Sequence, residues 1–208
     1  MTAPSRRGAC GVLLLHGDAK SASAWVRQGI VPSYVVPLAG WTAVVPGGPA
    51  QGHAPYDDQL TVTAARPVPA RMRTALGFFE IDGRAVVVVH PRGWRALPRW
   101  LVWESGRGVA GLPSLPTARP GDLAMAAGVV PEATRPIRQV LSEHSALPMD
   151  VLSDLMTTLA LPGEELLRGG SVKSADDAAL VEPDGKAVDR FARVTKEDKE
   201  IRAELESL

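Results

Sequence analysis

Three short apolar runs punctuate the first half of the chain: GVLLLH at 11–16, WTAVVP at 41–46 and RAVVVVH at 84–90. Each is rich in Val or Leu and bounded by Gly or Pro, the pattern of a strand covered on both faces. RWLVWE at 99–104 reads as a fourth strand, and its charged ends suit a sheet edge. Between the first two runs, Ser21 or Ser23 is placed to cap a helix carrying Trp25, Val26 and Ile30, with Pro32 ending it. Between the second and third, the loop PGGPAQGHAP precedes a segment from Ala70 to Phe79, where Met72, Leu76 and Phe79 share one side of a helix. Strand alternating with helix predicts an α/β fold, a small mostly parallel sheet with right-handed crossover helices. A ferredoxin-like α+β sandwich is the alternative.

From about Pro120 the texture becomes helical. PGDLAMAAG, PEATRPIRQVLSEH and MDVLSDLMTTLAL are separated by prolines and glycine, and Leu152, Leu155, Met156 and Leu159 follow the i, i+3, i+4, i+7 spacing of a buried helix face. The last segment, AVDRFARVTKEDKEIRAELESL, forms a charged helix with Phe191, Val194, Ile201 and Leu205 on a thin stripe that Asp198 interrupts. The expected organisation is an α/β domain over 8–118, a helical region packed on it over 119–168, and a linker with a charged C-terminal helix or tail over 169–208.

Composition changes this picture little. The 208 residues are 45% hydrophobic and only 5% aromatic, so the core rests on aliphatic side chains. The net charge of zero conceals an asymmetry. Residues 1–148 carry 15 basic and 9 acidic side chains, a balance of +6; residues 149–208 carry 8 and 14, a balance of −6. The acidic end can dock on the basic part or remain solvated. Cys10 is the only cysteine, which excludes an internal disulfide and a thiolate-rich metal site and makes a reducing cytoplasm the expected location. The apolar run near the start is short for an export signal, and His16-Gly17-Asp18 stands where a small-residue cleavage site belongs. No stretch approaches the ~20 apolar residues of a membrane span, so no membrane partner is expected.

The stretch GVLLLHGDAKSASAW, followed by GWTAVVPGGPAQGHAP, resembles the start of α/β-hydrolases over residues 11–55. That resemblance implies a nucleophile on G-x-S-x-G, followed by an acid and a histidine. The pentapeptide does not occur, so at most a degenerate relative lacking the nucleophile is implied. GRGVAG at 106–111 fits G-x-G-x-x-G, but the prolines of LPSLPTARPG forbid the helix that would hold a pyrophosphate, and a turn is expected. DLAMAAGVVPEATRPIRQVL has helix-turn-helix spacing; Pro136 in its second helix favours a helical hairpin packed on the sheet. The Arg/Trp-rich stretch 92–103, with Trp94, Trp100 and Trp103, offers an interaction surface for a protein or, less favoured, for nucleic acid. His16, His53, His90 and His144 show no metal-ligand spacing, and no cofactor is expected.

One constellation remains. If the first three strands run parallel, their carboxyl ends share one sheet edge, where open α/β folds form a ligand crevice. That edge would gather His16, Asp18, Gly47, Gly48, His90 and Arg92, with Ser21 at the start of the first helix, whose free N–H groups favour an anion. These residue types suit a small phosphate- or carboxylate-bearing ligand, with His16 or His90 as a proton-transfer group.

Overall fold

Two hairpins that the apolar periodicity conceals decide the architecture. In the computed structural model, which describes residues 10–93, 95–111, 113–168, 172 and 177–206, the eight strands are β1 (Gly11–Leu15), β2 (Ser33–Leu38), β3 (Trp41–Pro46), β4 (Ala75–Ile81), β5 (Arg84–His90), β6 (Arg99–Glu104), β7 (Gly108–Ala110) and β8 (Ala179–Val181). They form one sheet in the order β7-β6-β5-β4-β1-β3-β2-β8. Every neighbouring pair is antiparallel. The expected parallel sheet with crossover helices is therefore wrong, and the α+β alternative fits.

The reason lies in two strands that the sequence reading passed over, one left unassigned after Pro32 and the other read as the end of a helix. SYVVPL becomes β2 and turns back through Ala39-Gly40 into β3, with Gly40 at φ 75°. ALGFFEI becomes β4 rather than the end of a helix over Ala70–Phe79, of which only a 3-10 turn at Ala70–Met72 exists. Asp82 and Gly83, at φ 51° and 70°, join β4 to β5 in a two-residue loop whose paired left-handed residues match the twist of an antiparallel hairpin. Each hairpin supplies the antiparallel neighbour that a crossover helix would have replaced.

Helices cover both faces of the sheet. Val12, Leu14, Leu76, Phe78, Val87, Val89, Leu101 and Trp103 face α3 (Pro120–Ala127), α4 (Thr134–Ser142) and α5 (Pro148–Thr158), which contribute Leu123, Ile137, Leu152 and Leu155. Leu13, Leu15, Val44, Phe79, Val86 and Val88 point the other way, toward α1 (Ala19–Arg27) and α2 (Gln59–Ala65) with Trp25, Val26 and Ala64. Strict alternation along β1 and β5 explains why both strands read as unbroken apolar runs. Burying each such Val or Leu contributes about 1.5–3 kcal/mol. Within 169–186, read as linker, β8 pairs with β2, and α6 (Gly185–Glu206) follows. Among the described residues no helix is long and apolar enough to cross a membrane.

Candidate functional site

The direction of β1 and β5 determines which predicted site residues meet. Both flank β4 and pair antiparallel with it, so they run the same way: Leu15 and His90 are both aligned with Ala75. His16 and His90 thus fall at one rim, about 10 Å apart across two inter-strand spacings. β3 runs oppositely, with Thr42 rather than Pro46 aligned with Leu15. Gly47 and Gly48 therefore lie at the far rim, about 15 Å away along the strands. There they serve packing. The Gly47 amide donates to the Pro32 carbonyl at 2.8 Å, and a Cβ on Gly47 would lie 2.9 Å from the Tyr34 ring.

Asp18 and Ser21 share the His16 rim but are engaged with each other. Asp18, not Ser21 or Ser23, is the N-cap of α1, and its Oδ1 accepts from the Ser21 amide at 2.6 Å. That bond holds the Asp18 carboxyl below its usual range. The helix start expected to attract an external anion already has its own carboxylate, which both satisfies the amide and repels a second negative charge. Ser23 donates its hydroxyl back to the Ala19 carbonyl within the helix.

His16 ends β1 with its ring 4.0 Å from that of Trp41, centroid to centroid, and its backbone N–H donates to the Thr74 carbonyl. Partial burial, then the positive charge of Arg92, lower its pKa. The following Gly17 lies against Met72 and accepts from the Thr42 hydroxyl at 2.6 Å, so His-Gly here is a tight exit from sheet to helix. His90 is the most enclosed polar group of the rim, at 2% exposure. It extends the row of Val86 and Val88 on the α1/α2 face, whereas Trp41 packs on the opposite cluster, so the two imidazoles straddle the sheet edge. Burial, and next the charge of Arg73, push the His90 pKa down to about 4, and the imidazole is neutral at pH 7. Its Nε2 is buried with no hydrogen-bond partner.

Arg73 is the rim residue that sequence reasoning missed. Its Nε donates to the Val68 carbonyl at 2.9 Å, and its Nη1 donates to Gly93 and Ala96, each at 3.0 Å. It thereby ties the turn after β5 to the segment before β4. No periodic signal marks it, because two of its three partner carbonyls, those of Gly93 and Ala96, are distant in sequence. Arg99, at the start of β6, pairs with Asp122 of α3.

The Arg/Trp stretch divides by burial. Trp103 is fully enclosed and donates its indole N–H to the Leu141 carbonyl at 3.1 Å; Trp100 is half-buried on the α1/α2 face; Trp94 lies outside the described residues. Trp103 is thus a core residue, unavailable for stacking a base. GRGVAG completes the β6–β7 turn and supplies β7, with Gly106 and Gly108 at φ 77° and 76°. Among the described residues no cluster of His, Cys, Asp and Glu is arranged to hold a metal ion. Comparison of the chain with protein-family models, curated proteins and solved structures finds no match.

Proposed function

We propose that this chain is a cytoplasmic protein that binds a small phosphate- or carboxylate-bearing ligand at the rim where β1 and β5 end, using His16, His90, Arg73 and Arg92. The observation that carries the reading is the buried Nε2 of His90, which lacks a partner beside the Arg73 guanidinium. A buried polar nitrogen left unpaired costs about 1–3 kcal/mol, a cost that a ligand atom can remove. A neutral imidazole with its proton on Nε2 donates to an oxyanion, and the two arginines supply charge that the imidazole does not. Among the described residues no carboxylate forms an ion pair with Arg92. The single cysteine supports the reducing location.

Inorganic phosphate and citrate are the probes. Each is expected to raise the melting temperature of the wild-type chain in a saturable manner. The double variant His16→Ala/Arg92→Ala is expected to melt within about 2 °C of wild type without anion, because both side chains lie at the rim rather than in the core. It should lose the anion-induced rise. A rise of equal size in the double variant, or none in wild type, removes the proposal.

A further inference from the structure

Where the ends of α1 and α2 meet α6, a second feature has a different chemistry. A cavity of about 340 Å³ opens between the end of α1, the end of α2 and α6, lined by Gly29, Ile30, Tyr56, Val62, Arg66 and Phe191 among others. Its wall is mostly apolar, with Arg66, Gln28 and the Tyr56 hydroxyl as its polar side-chain groups. Phe191 of α6 meets Tyr56 edge-to-face with ring centroids 5.3 Å apart, so the C-terminal helix completes the enclosure.

Arg66 is an unusual lining residue. Its guanidinium lies 3.9 Å over the Trp25 ring, and its Nη2 donates to the Trp25 carbonyl. Gly29 admits the group: a Cβ there would stand 2.3 Å from Arg66 Nη1. Burial alone lowers the Arg66 pKa to about 10, so the guanidinium remains charged at neutral pH. Among the described residues, no carboxylate forms an ion pair with it. A charge partly withdrawn from water without a counter-ion is unfavourable, and the aromatic face and one carbonyl offset only part of the cost. The guanidinium has five N–H donors in a planar fork that matches a carboxylate.

We infer that this cavity binds a compact apolar carboxylic acid, its carboxylate on Arg66 and its hydrocarbon body against Ile30, Val62, Tyr56 and Phe191. The volume lies at the lower end of small-molecule pockets, which suits a medium-chain or aryl-substituted acid. The apolar wall disfavours a heavily hydroxylated or phosphorylated ligand, whose polar groups would lose water without gaining partners. The acid supplies the counter-ion and fills the apolar space, so each part answers a separate feature of the site. It does not depend on the His16 rim, whose anions have no apolar body.

Octanoate and phenylacetate, each beside its neutral amide, are suitable probes of the full chain, with binding followed by calorimetry and by backbone amide resonances. Both acids are expected to bind, to shift the resonances of Gly29, Ile30 and Tyr56, and to bind about tenfold or more tightly than the amides. Arg66→Gln should remove that preference. Because Arg66 also supports the Trp25 carbonyl, a variant that leaves it in place is needed: Val62→Phe, which fills the cavity, should weaken the acids at least tenfold while the charge persists. Equal affinity for acid and amide, shifts confined to the His16 rim, or unchanged binding in folded Val62→Phe would each overturn the inference.

Discussion

His90 concentrates the residue-scale energetics of this protein. Its imidazole is neutral when folded, with a pKa of about 4, and free to protonate near 6.5 when unfolded. Between those values the unfolded chain binds more protons, so stability rises with pH through this window and falls as the pH drops through it. The full effect is roughly 3 kcal/mol. Thermal melts from pH 7 to pH 4 should therefore show a steep loss in wild type and a shallower one in His90→Leu, which has no proton to gain. Parallel profiles for the two proteins would contradict the assignment. Asp18 teaches a complementary lesson: whether a carboxylate at a helix start recruits a ligand or replaces one depends on whether it caps that helix, and here it does.

At the scale of the element, the decisive features are two-residue turns. Asp82-Gly83 sits between FFEI and RAVVVV, and an Asp-Gly pair flanked by apolar runs is a strong local signal for a hairpin. The helical spacing of Met72, Leu76 and Phe79 obscured it, although the same residues also fit strands buried on both faces: Leu76 faces one cluster and Phe79 the other. Gly83 tests the turn directly. A Cβ there meets nothing within 4 Å, so Gly83→Ala carries only the cost of a left-handed backbone. That cost is about 1 kcal/mol. Gly111→Ala, equally open and without positive φ, should change stability by less than about 0.5 kcal/mol. Denaturant midpoints of the two variants check the difference, and equal midpoints would deny the turn its role.

Across the whole molecule, the acidic C-terminal part is joined to the basic part through backbone and apolar contacts. The pairs Arg84–Glu104 and Arg99–Asp122 stay within the first 148 residues, and Arg168–Asp150 and Lys196–Glu200 within the remainder. The connection comes from Leu152 and Leu155 of α5 in the core, from β8 on β2, from the Asp184 amide donating to the Arg27 carbonyl at 2.8 Å, and from Phe191 on Tyr56. β8 also shields a six-residue strand from becoming an open edge. A chain ending at residue 176 is expected to melt several degrees lower and to self-associate with rising concentration. Light scattering that finds it monomeric, with an unchanged melting temperature, would show that the edge needs no cover.

The sequence by itself determined the local facts. The apolar runs of β1, β3, β5 and β6, the helix face of Leu152, Leu155, Met156 and Leu159, and the turn at Gly106–Gly108 all follow from nearest-neighbour stereochemistry and side-chain periodicity. The convergence of His16 with His90 was also reached from sequence, but through a premise of three parallel strands that the sheet does not obey. Only the tertiary structure decided strand direction, and with it the removal of Gly47 and Gly48 to the far rim. It alone placed Arg73 on the carbonyls of Gly93 and Ala96 and Arg66 on Trp25. The physical reason is common to all of these. A strand's direction and a half-buried cation's partner depend on groups tens of residues away, and no period in the chain records which of them will be near.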